Sequence, residues 1–229
     1  MTTRSRLISI NIGSPREIHA NGRRIRTCIF KEPVSGPVSV RRLHLEGDQQ
    51  ADLRVHGGRD KAVYVYPSEH YQFWRTEFPD MELPFGWFGE NLTIEGLLED
   101  AISTGDRLRI GTAEFQVTTP RVPCYKLEAK FKSEAKPGGQ DIIKRFLAAR
   151  RSGFYFAVLR EGVINPGDSV ELIAPDADRL TISELFRLYA DRHADPADLL
   201  RAANVAALTE GWRAQFRERI RMVQSEPLP

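Results

Sequence analysis

The chain has 229 residues, 41% of them hydrophobic and 28% charged, which suits a soluble globular protein with one large domain or a domain and a small appendage. Its 33 basic and 31 acidic residues leave a net charge of +2, which argues against bulk binding of a nucleic acid polymer. The sequence shows neither an apolar run as long as a membrane span nor a signal-peptide hydrophobic region, so we expect a cytoplasmic protein without a membrane partner.

The two cysteines, Cys28 and Cys124, limit the redox chemistry that the chain can perform alone. In a reducing compartment we expect no structural disulfide between them, and the sequence contains neither Cys-x-x-Cys nor a ferredoxin-type cluster. Cys28 lies in a β-branched run, where a free cysteine usually behaves as a small buried hydrophobic residue. Electrons for any redox reaction would therefore come from another molecule.

The first part of the chain predicts short strands separated by turns. Residues 5–12 alternate as a strand, and 25–30 is expected to be its hairpin partner. Further strands are predicted at 39–45 and in the alternating run that ends at Tyr66. A helix is expected to start near Pro67.

A double glycine precedes one of these strands. Gly57 and Gly58 permit positive φ angles and the close approach of a ligand to the backbone. With His56, Arg59 and Lys61 around them, they resemble an anion cradle. A lone histidine is as readily a hydrogen-bonded structural residue, so both interpretations of His56 stay open.

Polar residues also stand at the start of a later predicted strand. Glu90 and Asn91 follow a glycine-broken aromatic segment, at a place where a ligand can be held. Trp87 and Phe88 before them are interpreted as core packing. Spacing alone does not decide between a binding and a structural role for Glu90 and Asn91.

Turn patterns predict the fold class of the main domain. Gly105 and Gly167 each begin a Gly-Asp turn that leads into an alternating strand. Many short strands joined in this way predict a mainly β fold with some helices, built as a β-barrel or another closed β architecture. One such helix is expected over 141–151, ended by Gly153 at the C′ position, with a strand over 154–159.

The strand pattern stops near residue 174, which predicts two domains. A β-barrel-like domain is expected over 1–174 and a small domain of three helices over 175–229. Thr181 and Glu184 form a capping-box pattern at the start of the first of these helices.

The second helix is expected near Asp195 and the third over 209–222, with Trp212, Phe216 and Ile220 on one face. The arginine-rich faces of this domain are interpreted as solvated surface. A pocket rim and a docking surface for a redox partner are the alternatives.

Cys124 is the strongest candidate for chemistry. It lies in a proline-stiffened segment, 118–127, with Arg121 three residues before it and Lys126 two residues after it. Neighbouring cations favour the thiolate, which can serve as a nucleophile, a redox switch or a soft metal ligand. A nucleophile needs a positioned base, and no local spacing supplies one, although one of the five histidines could fold back onto it. A single thiolate better suits a metal whose other ligands arrive on a cofactor.

Four segments, taken together and in order, resemble the MOSC domain, and specifically the YiiM subgroup of 6-N-hydroxylaminopurine-resistance proteins. These segments are residues 55–64, 88–92, 104–106 and 120–124. The helical tail resembles the C-terminal three-helix domain of the same subgroup, so the resemblance covers nearly the whole chain. It implies a mostly β, barrel-like fold that binds molybdenum cofactor.

The resemblance also implies roles for individual residues. Cys124 would be the molybdenum ligand, and the implied catalytic residues are Cys124, His56 and Arg121. The implied cofactor-binding residues, which would contact the pterin, its phosphate or the substrate, are His56, Gly57, Lys61, Asn91, Arg121 and Cys124.

The implied activity is the reduction of N-hydroxylated small molecules, such as 6-hydroxylaminopurine, to the amine. The expected partner is an external flavin or iron–sulfur electron-donor protein, and a homodimer is one expected assembly. The alternative function is a molybdenum-cofactor carrier or sulfur-transfer binding protein without reductase turnover. A third interpretation is a structural protein in which Cys124 is simply buried.

Overall fold

The computed structural model describes residues 5–20, 22–50, 57–134 and 141–225. The strands are β1 (Arg6–Ile12), β2 (Arg16–Ala20), β3 (Arg23–Thr27), β4 (Glu32–Val34), β5 (Val38–Val40), β6 (Val63–Pro67), β7 (Leu92–Glu95), β8 (Arg107–Ile110), β9 (Ala113–Pro120), β10 (Phe154–Arg160), β11 (Gly162–Ile164) and β12 (Val170–Ala174). The helices are α1 (Glu69–Glu77), α2 (Tyr125–Glu134), α3 (Ile142–Ala149), α4 (Ile182–Ala190), α5 (Pro196–Asn204) and α6 (Glu210–Ser225), with a short 3₁₀ turn at Arg59–Lys61.

Eight of these strands form one mixed sheet in the order β12-β8-β9-β10-β6-β7-β1-β4. The pairs are antiparallel except for β6 and β7, which run parallel. Alternate apolar residues are buried in a single core, among them Leu108 and Ile110 of β8 and Phe115 and Val117 of β9. This period of two is the pattern of strands that bury one face, and it confirms the predicted mainly β fold.

The sheet curls until its first strand meets the segment before β12. Arg6 and Ser169 form an isolated antiparallel bridge, and the Leu7 N–H donates to the Asp168 carbonyl at 2.9 Å. No continuous ladder joins β1 to β12 within the described ranges. The sheet is therefore barrel-like but open, and the prediction of a closed barrel was wrong.

The predicted hairpin between residues 5–12 and 25–30 was also wrong. β3 pairs with β2 in a separate two-stranded sheet, whereas β1 pairs with β4 and β7. The reason lies in the side chains of β3, where Arg23, Arg24 and Arg26 are exposed and only Thr27 is buried. A strand with so little apolar surface cannot cover the apolar face of β1.

The predicted strand over 39–45 is shorter in the structure. β5 ends at Val40, and Val40 forms a bridge with Leu45 across a turn. The Arg41 N–H donates to the His44 carbonyl at 2.9 Å inside this turn. The apolar residues Val40 and Leu45, which are predicted in one strand, therefore lie on opposite sides of a tight turn.

The end of α3 differs from the prediction as well. The helix stops at Ala149, and Arg150 adopts the left-handed conformation with a φ of 54°. Gly153, expected at the C′ position, instead lies directly before β10 with a φ of 61°. A Cβ atom there would lie 2.4 Å from the Val65 carbonyl oxygen, so close packing against β6 requires glycine.

A second core, mostly aromatic, joins β6 to α1, α2 and α3. Tyr66 is fully buried, accepts a hydrogen bond from the Trp74 indole at 2.6 Å and stacks on Phe88 at 4.8 Å. Phe131 of α2 and Phe146 of α3 belong to the same cluster. This layer holds the beginning of α2, and the segment before it, close to β6.

The three C-terminal helices have their own core, and their predicted starts are confirmed. The capping box is present, because the Glu184 N–H donates to Thr181 Oγ1 at 3.1 Å and the Thr181 N–H donates to Glu184 Oε2 at 3.0 Å. Asp195 caps α5. Phe216 is buried in this core, where Trp212 and Ile220 also pack. None of the helices in the described ranges has the length and apolar composition that a bilayer span needs.

Backbone hydrogen bonds attach α4 to the main sheet domain. The Thr104 N–H donates to the Leu180 carbonyl, and the Ile182 N–H donates to the Ile102 carbonyl, both at 2.9 Å. The Ile182 side chain belongs to the core of the large sheet. The domain boundary at residues 174 and 175 stays a prediction, and the first turn of α4 packs on the main domain.

Candidate cofactor-binding site

One pocket brings together most of the residues selected from the sequence. It is lined by Gly57, Lys61, Asn91, Arg121 and Cys124. His56, the sixth residue of the predicted cofactor-binding set, lies outside the described residues. The proline-containing segment is shorter than expected, because β9 continues to Pro120 and α2 begins at Tyr125. The connection between these two elements carries the candidate thiol.

Cys124 is a half-buried cysteine outside any disulfide, at the amino end of α2. Its carbonyl accepts the Leu127 N–H at 2.9 Å, as expected for the first turn of a helix. Negative charge is favoured at this end of a helix. Cys124 lines the pocket and is only partly buried, whereas the structural interpretation expects a buried side chain.

Arg121 is buried beside this thiol, with 5% of its surface exposed. Its guanidinium carbon lies 5.2 Å from the Tyr64 ring centre and 5.6 Å from that of Phe146. Burial opposes the charge, but neighbouring Tyr64 and Cys124 raise the pKa of Arg121 above its ordinary value, so it stays protonated. Nη1 is buried without a hydrogen-bond partner among the described residues.

Lys126 supplies a second buried cation to the pocket. It lies in the first turn of α2, is 7% exposed and lines the pocket wall. Because removing a charge from water is costly without a partner of opposite sign, two buried cationic residues in one pocket favour an anionic ligand.

A paired group forms another part of the wall. The Lys31 ammonium lies 2.5 Å from Asp48 Oδ1, and the Asn91 amide donates to Asp48 Oδ2 at 2.9 Å. Asn91 Oδ1 accepts the Tyr64 N–H at 3.1 Å. The Asn91 side chain thus bonds to the protein while it lines the pocket. Lys31 and Asp48 were missed, because no local pattern shows that they meet.

Glu90 has a different place from its neighbour Asn91. It is fully buried, accepts the Gly86 N–H at 2.8 Å and the Thr93 hydroxyl at 3.1 Å, and also binds the Tyr71 hydroxyl. Burial raises the pKa of its carboxyl. Glu90 does not line the pocket, and it holds together the loop that leads into β7.

Cys28 lines the same pocket, which the sequence did not predict. It is buried, as predicted, and burial raises the pKa of its thiol. No group of three His, Cys, Asp or Glu side chains in the described part of the chain could hold a metal ion. A metal at Cys124 would therefore take its other ligands from a cofactor or from residues outside those ranges.

Residues 52–171, more than half of the chain, match the MOSC domain. The chain belongs to the MOSC-domain family. Residues 180–221 of this MOSC protein match the YiiM-like, 3-alpha helix domain, so the predicted family and subgroup are confirmed.

Relatives of this MOSC protein extend over almost its full length. The uncharacterized protein YflK of Bacillus subtilis is 40% identical and aligns over 92% of each chain. The crystal structure of YiiM from Geobacillus stearothermophilus is 35% identical, covers 94% of this chain and 99% of its own, and has a TM-score of 0.77. A Gibberella moniliformis protein named reductase is 29% identical, over 88% of this chain and 35% of that protein.

Proposed function

We propose that the chain is a molybdenum-cofactor-dependent oxidoreductase that reduces N-hydroxylated compounds such as 6-hydroxylaminopurine to the amine. The observation that carries the proposal is the convergence of the Cys124 thiol with two buried cationic residues, Arg121 and Lys126, in one pocket. Family membership supports the cofactor. The relative named reductase supports the direction of the reaction.

The donor set of the pocket fits this cofactor. Its metal takes soft ligands, and Cys124 would supply a thiolate. Its anionic phosphate requires cationic donors, and Arg121 Nη1 is a buried donor without an acceptor in the described ranges. Such donors are rare in folded proteins unless a ligand or water satisfies them. Lys126 would add a second charge, with Gly57, Lys61 and His56 as further contacts.

The overall reaction consumes two electrons and two protons for each N–O bond, and it releases the amine and water. When bound, the cofactor supplies the electron transfer and the exchangeable oxygen position that this cleavage requires. The chain supplies the placement, because Arg121 and Lys126 orient the anionic part of the cofactor. The wall formed by Lys31, Asp48 and Asn91 keeps the pocket in shape. An external flavin or iron–sulfur protein would deliver the electrons.

The test compares Cys124→Ser with Cys28→Ala, a matched control because both cysteines line the pocket. Full-length proteins from cofactor-competent cells are analysed for bound molybdenum and for reduction of 6-hydroxylaminopurine with an artificial electron donor. We expect wild type and Cys28→Ala to bind molybdenum and to reduce the substrate. We expect Cys124→Ser to lose both properties.

Two outcomes would contradict this proposal. Retention of molybdenum by Cys124→Ser would remove Cys124 as the ligand. Bound molybdenum without reduction of any N-hydroxylated compound would favour the cofactor carrier or sulfur-transfer protein instead.

A further inference from the structure

The carboxylate of Glu99 lies at the centre of a buried hydrogen-bond network. It is 5% exposed, and its Oε1 accepts the Gly153 N–H at 2.7 Å. Its Oε2 lies 2.7 Å from His70 Nε2. Arg151 Nη1 donates to His70 Nδ1 at 2.9 Å, and a guanidinium can only donate. His70 therefore carries its proton on Nε2 and donates it to Glu99, which fixes the carboxylate from its second side.

The Gly153 backbone connects Glu99 to Arg121. Its N–H donates to Glu99, and its carbonyl accepts the Arg121 N–H at 3.2 Å. The neighbouring Ser152 carbonyl accepts the Tyr64 hydroxyl at 2.9 Å. The same short segment thus holds both the backbone of Arg121 and the aromatic ring on which its guanidinium lies.

An arginine side chain has many rotamers, and freezing them costs up to about 2 kcal/mol. The Arg121 guanidinium keeps one buried position without a hydrogen bond on Nη1 in the described ranges. That position depends on contacts with the rings of Tyr64 and Phe146 and on the course of the backbone at Gly153. The contact with Tyr64 and the backbone at Gly153 lead back to the carboxylate of Glu99.

We propose that Glu99 is a positioning residue for the pocket: through Gly153 it sets the place of the Arg121 guanidinium. The role of Arg121 toward the cofactor rests on the proposed function. The effect of Glu99 on the position of Arg121 is independent of that function. Removing the Glu99 carboxylate leaves the buried Gly153 N–H unpaired and releases this connection. Arg121 then occupies several positions instead of one.

The test uses the full chain without cofactor, labelled with ¹⁵N-arginine. The side-chain NMR signal of Arg121 is assigned by its loss in Arg121→Lys. We expect Glu99→Ala to shift and broaden this signal. We expect Glu99→Gln to restore it in part, because an amide oxygen can still accept the Gly153 N–H.

Asp106→Asn is the matched control. Asp106 is a buried carboxylate, 2% exposed, that accepts the Ser103 and Asp176 N–H groups in another part of the fold. We expect this variant to leave the Arg121 signal in place. An unchanged signal in folded Glu99→Ala would overturn the proposal, and so would an equal change in both variants.

A milder variant, His70→Ala, removes one of the two supports of the carboxylate. If Glu99→Ala does not fold, His70→Ala replaces it in the experiment. We then expect His70→Ala to shift and broaden the Arg121 signal, and an unchanged signal would overturn the proposal. In protein expressed with cofactor, we expect Glu99→Ala to retain molybdenum roughly tenfold less tightly, as is typical for residues that orient a binding group. If wild type binds no molybdenum, the proposed function fails while the NMR result still decides the role of Glu99.

Discussion

The guanidinium carbon of Arg121 lies 5.2 Å from the centre of the Tyr64 ring. A cation held over an aromatic face in a desolvated place gains up to about 2 kcal/mol. The Tyr64 hydroxyl donates to the Ser152 carbonyl at 2.9 Å, so the ring itself is held in place. The ring and the hydroxyl therefore have separable roles.

We predict different effects for two substitutions of Tyr64. Tyr64→Phe keeps the ring and loses one hydrogen bond, so the free energy of unfolding should fall by about 1 kcal/mol while molybdenum content stays near that of wild type. Tyr64→Leu also removes the ring beneath Arg121 and should lower molybdenum content. Urea unfolding and metal analysis check both results. Equal molybdenum loss in the two variants would contradict a separate role for the ring.

Replacement of Lys126 should improve stability at the expense of binding. Lys126→Met removes a charge from a side chain that is only 7% exposed, so the cofactor-free protein should gain about 1 kcal/mol in unfolding free energy. Its molybdenum content should fall, because the anionic ligand loses a cation. Lys132 in the same helix is half-exposed and pairs with Glu128 at 2.9 Å. Lys132→Met should change stability by less than about 0.5 kcal/mol and leave metal content unaltered. A less stable Lys126→Met variant that keeps its molybdenum would contradict both expectations.

Lys130 should produce a pH-dependent difference in stability. Burial lowers the pKa of this lysine from 10.5 to about 8, although its ammonium donates to the Trp87 carbonyl at 2.8 Å. Between these two values the unfolded chain keeps a proton that the folded chain has released, so folding gains stability as pH rises. Between pH 8 and 10, the unfolding free energy of the wild type should therefore rise by roughly 1–3 kcal/mol relative to that of Lys130→Met.

Urea unfolding of both proteins at several pH values measures this difference for Lys130. Tyrosines that ionise in the unfolded state affect both proteins equally and cancel. A constant difference across the range would show that Lys130 does not release its proton there.

Two threonines at helix starts make a matched pair for stability. Thr181 Oγ1 accepts the Glu184 N–H, so Thr181→Ala should cost about 1 kcal/mol in unfolding free energy. Thr209 precedes α6, and its side chain makes no hydrogen bond within the described ranges. Thr209→Ala should therefore have a smaller effect in the same urea experiment. Equal losses would show that the cap bond of Thr181 contributes nothing specific.

Features that depend on neighbouring residues could be predicted from the sequence. The capping box of Thr181 and Glu184 is a local pattern, and the structure confirms it. Arg121, Cys124 and Lys126 lie within six positions of one another, so their common pocket follows from one short connection between β9 and α2.

Features that depend on distant pairing could not be predicted in this way. Lys31 and Asp48 meet only because the folded sheet brings their segments together. Glu90 and Asn91 are adjacent and polar, yet one supports a loop and the other lines the pocket. Gly153 resembled a helix end, but the observed constraint is the Val65 carbonyl of another strand. These roles are set by tertiary contacts rather than by local preference.

The pairing of β1 has a consequence for the time course of folding during synthesis. Its neighbours in the sheet are β4 and β7, and its start also bridges to Ser169. The ribosome completes Arg6–Ile12 long before it reaches Leu92–Glu95, and only near the end of the domain does it add Ser169. Non-local pairing of this kind is slow and leaves apolar strands unpaired in the meantime. The nascent amino-terminal strand should therefore depend on chaperones until most of the chain has been made.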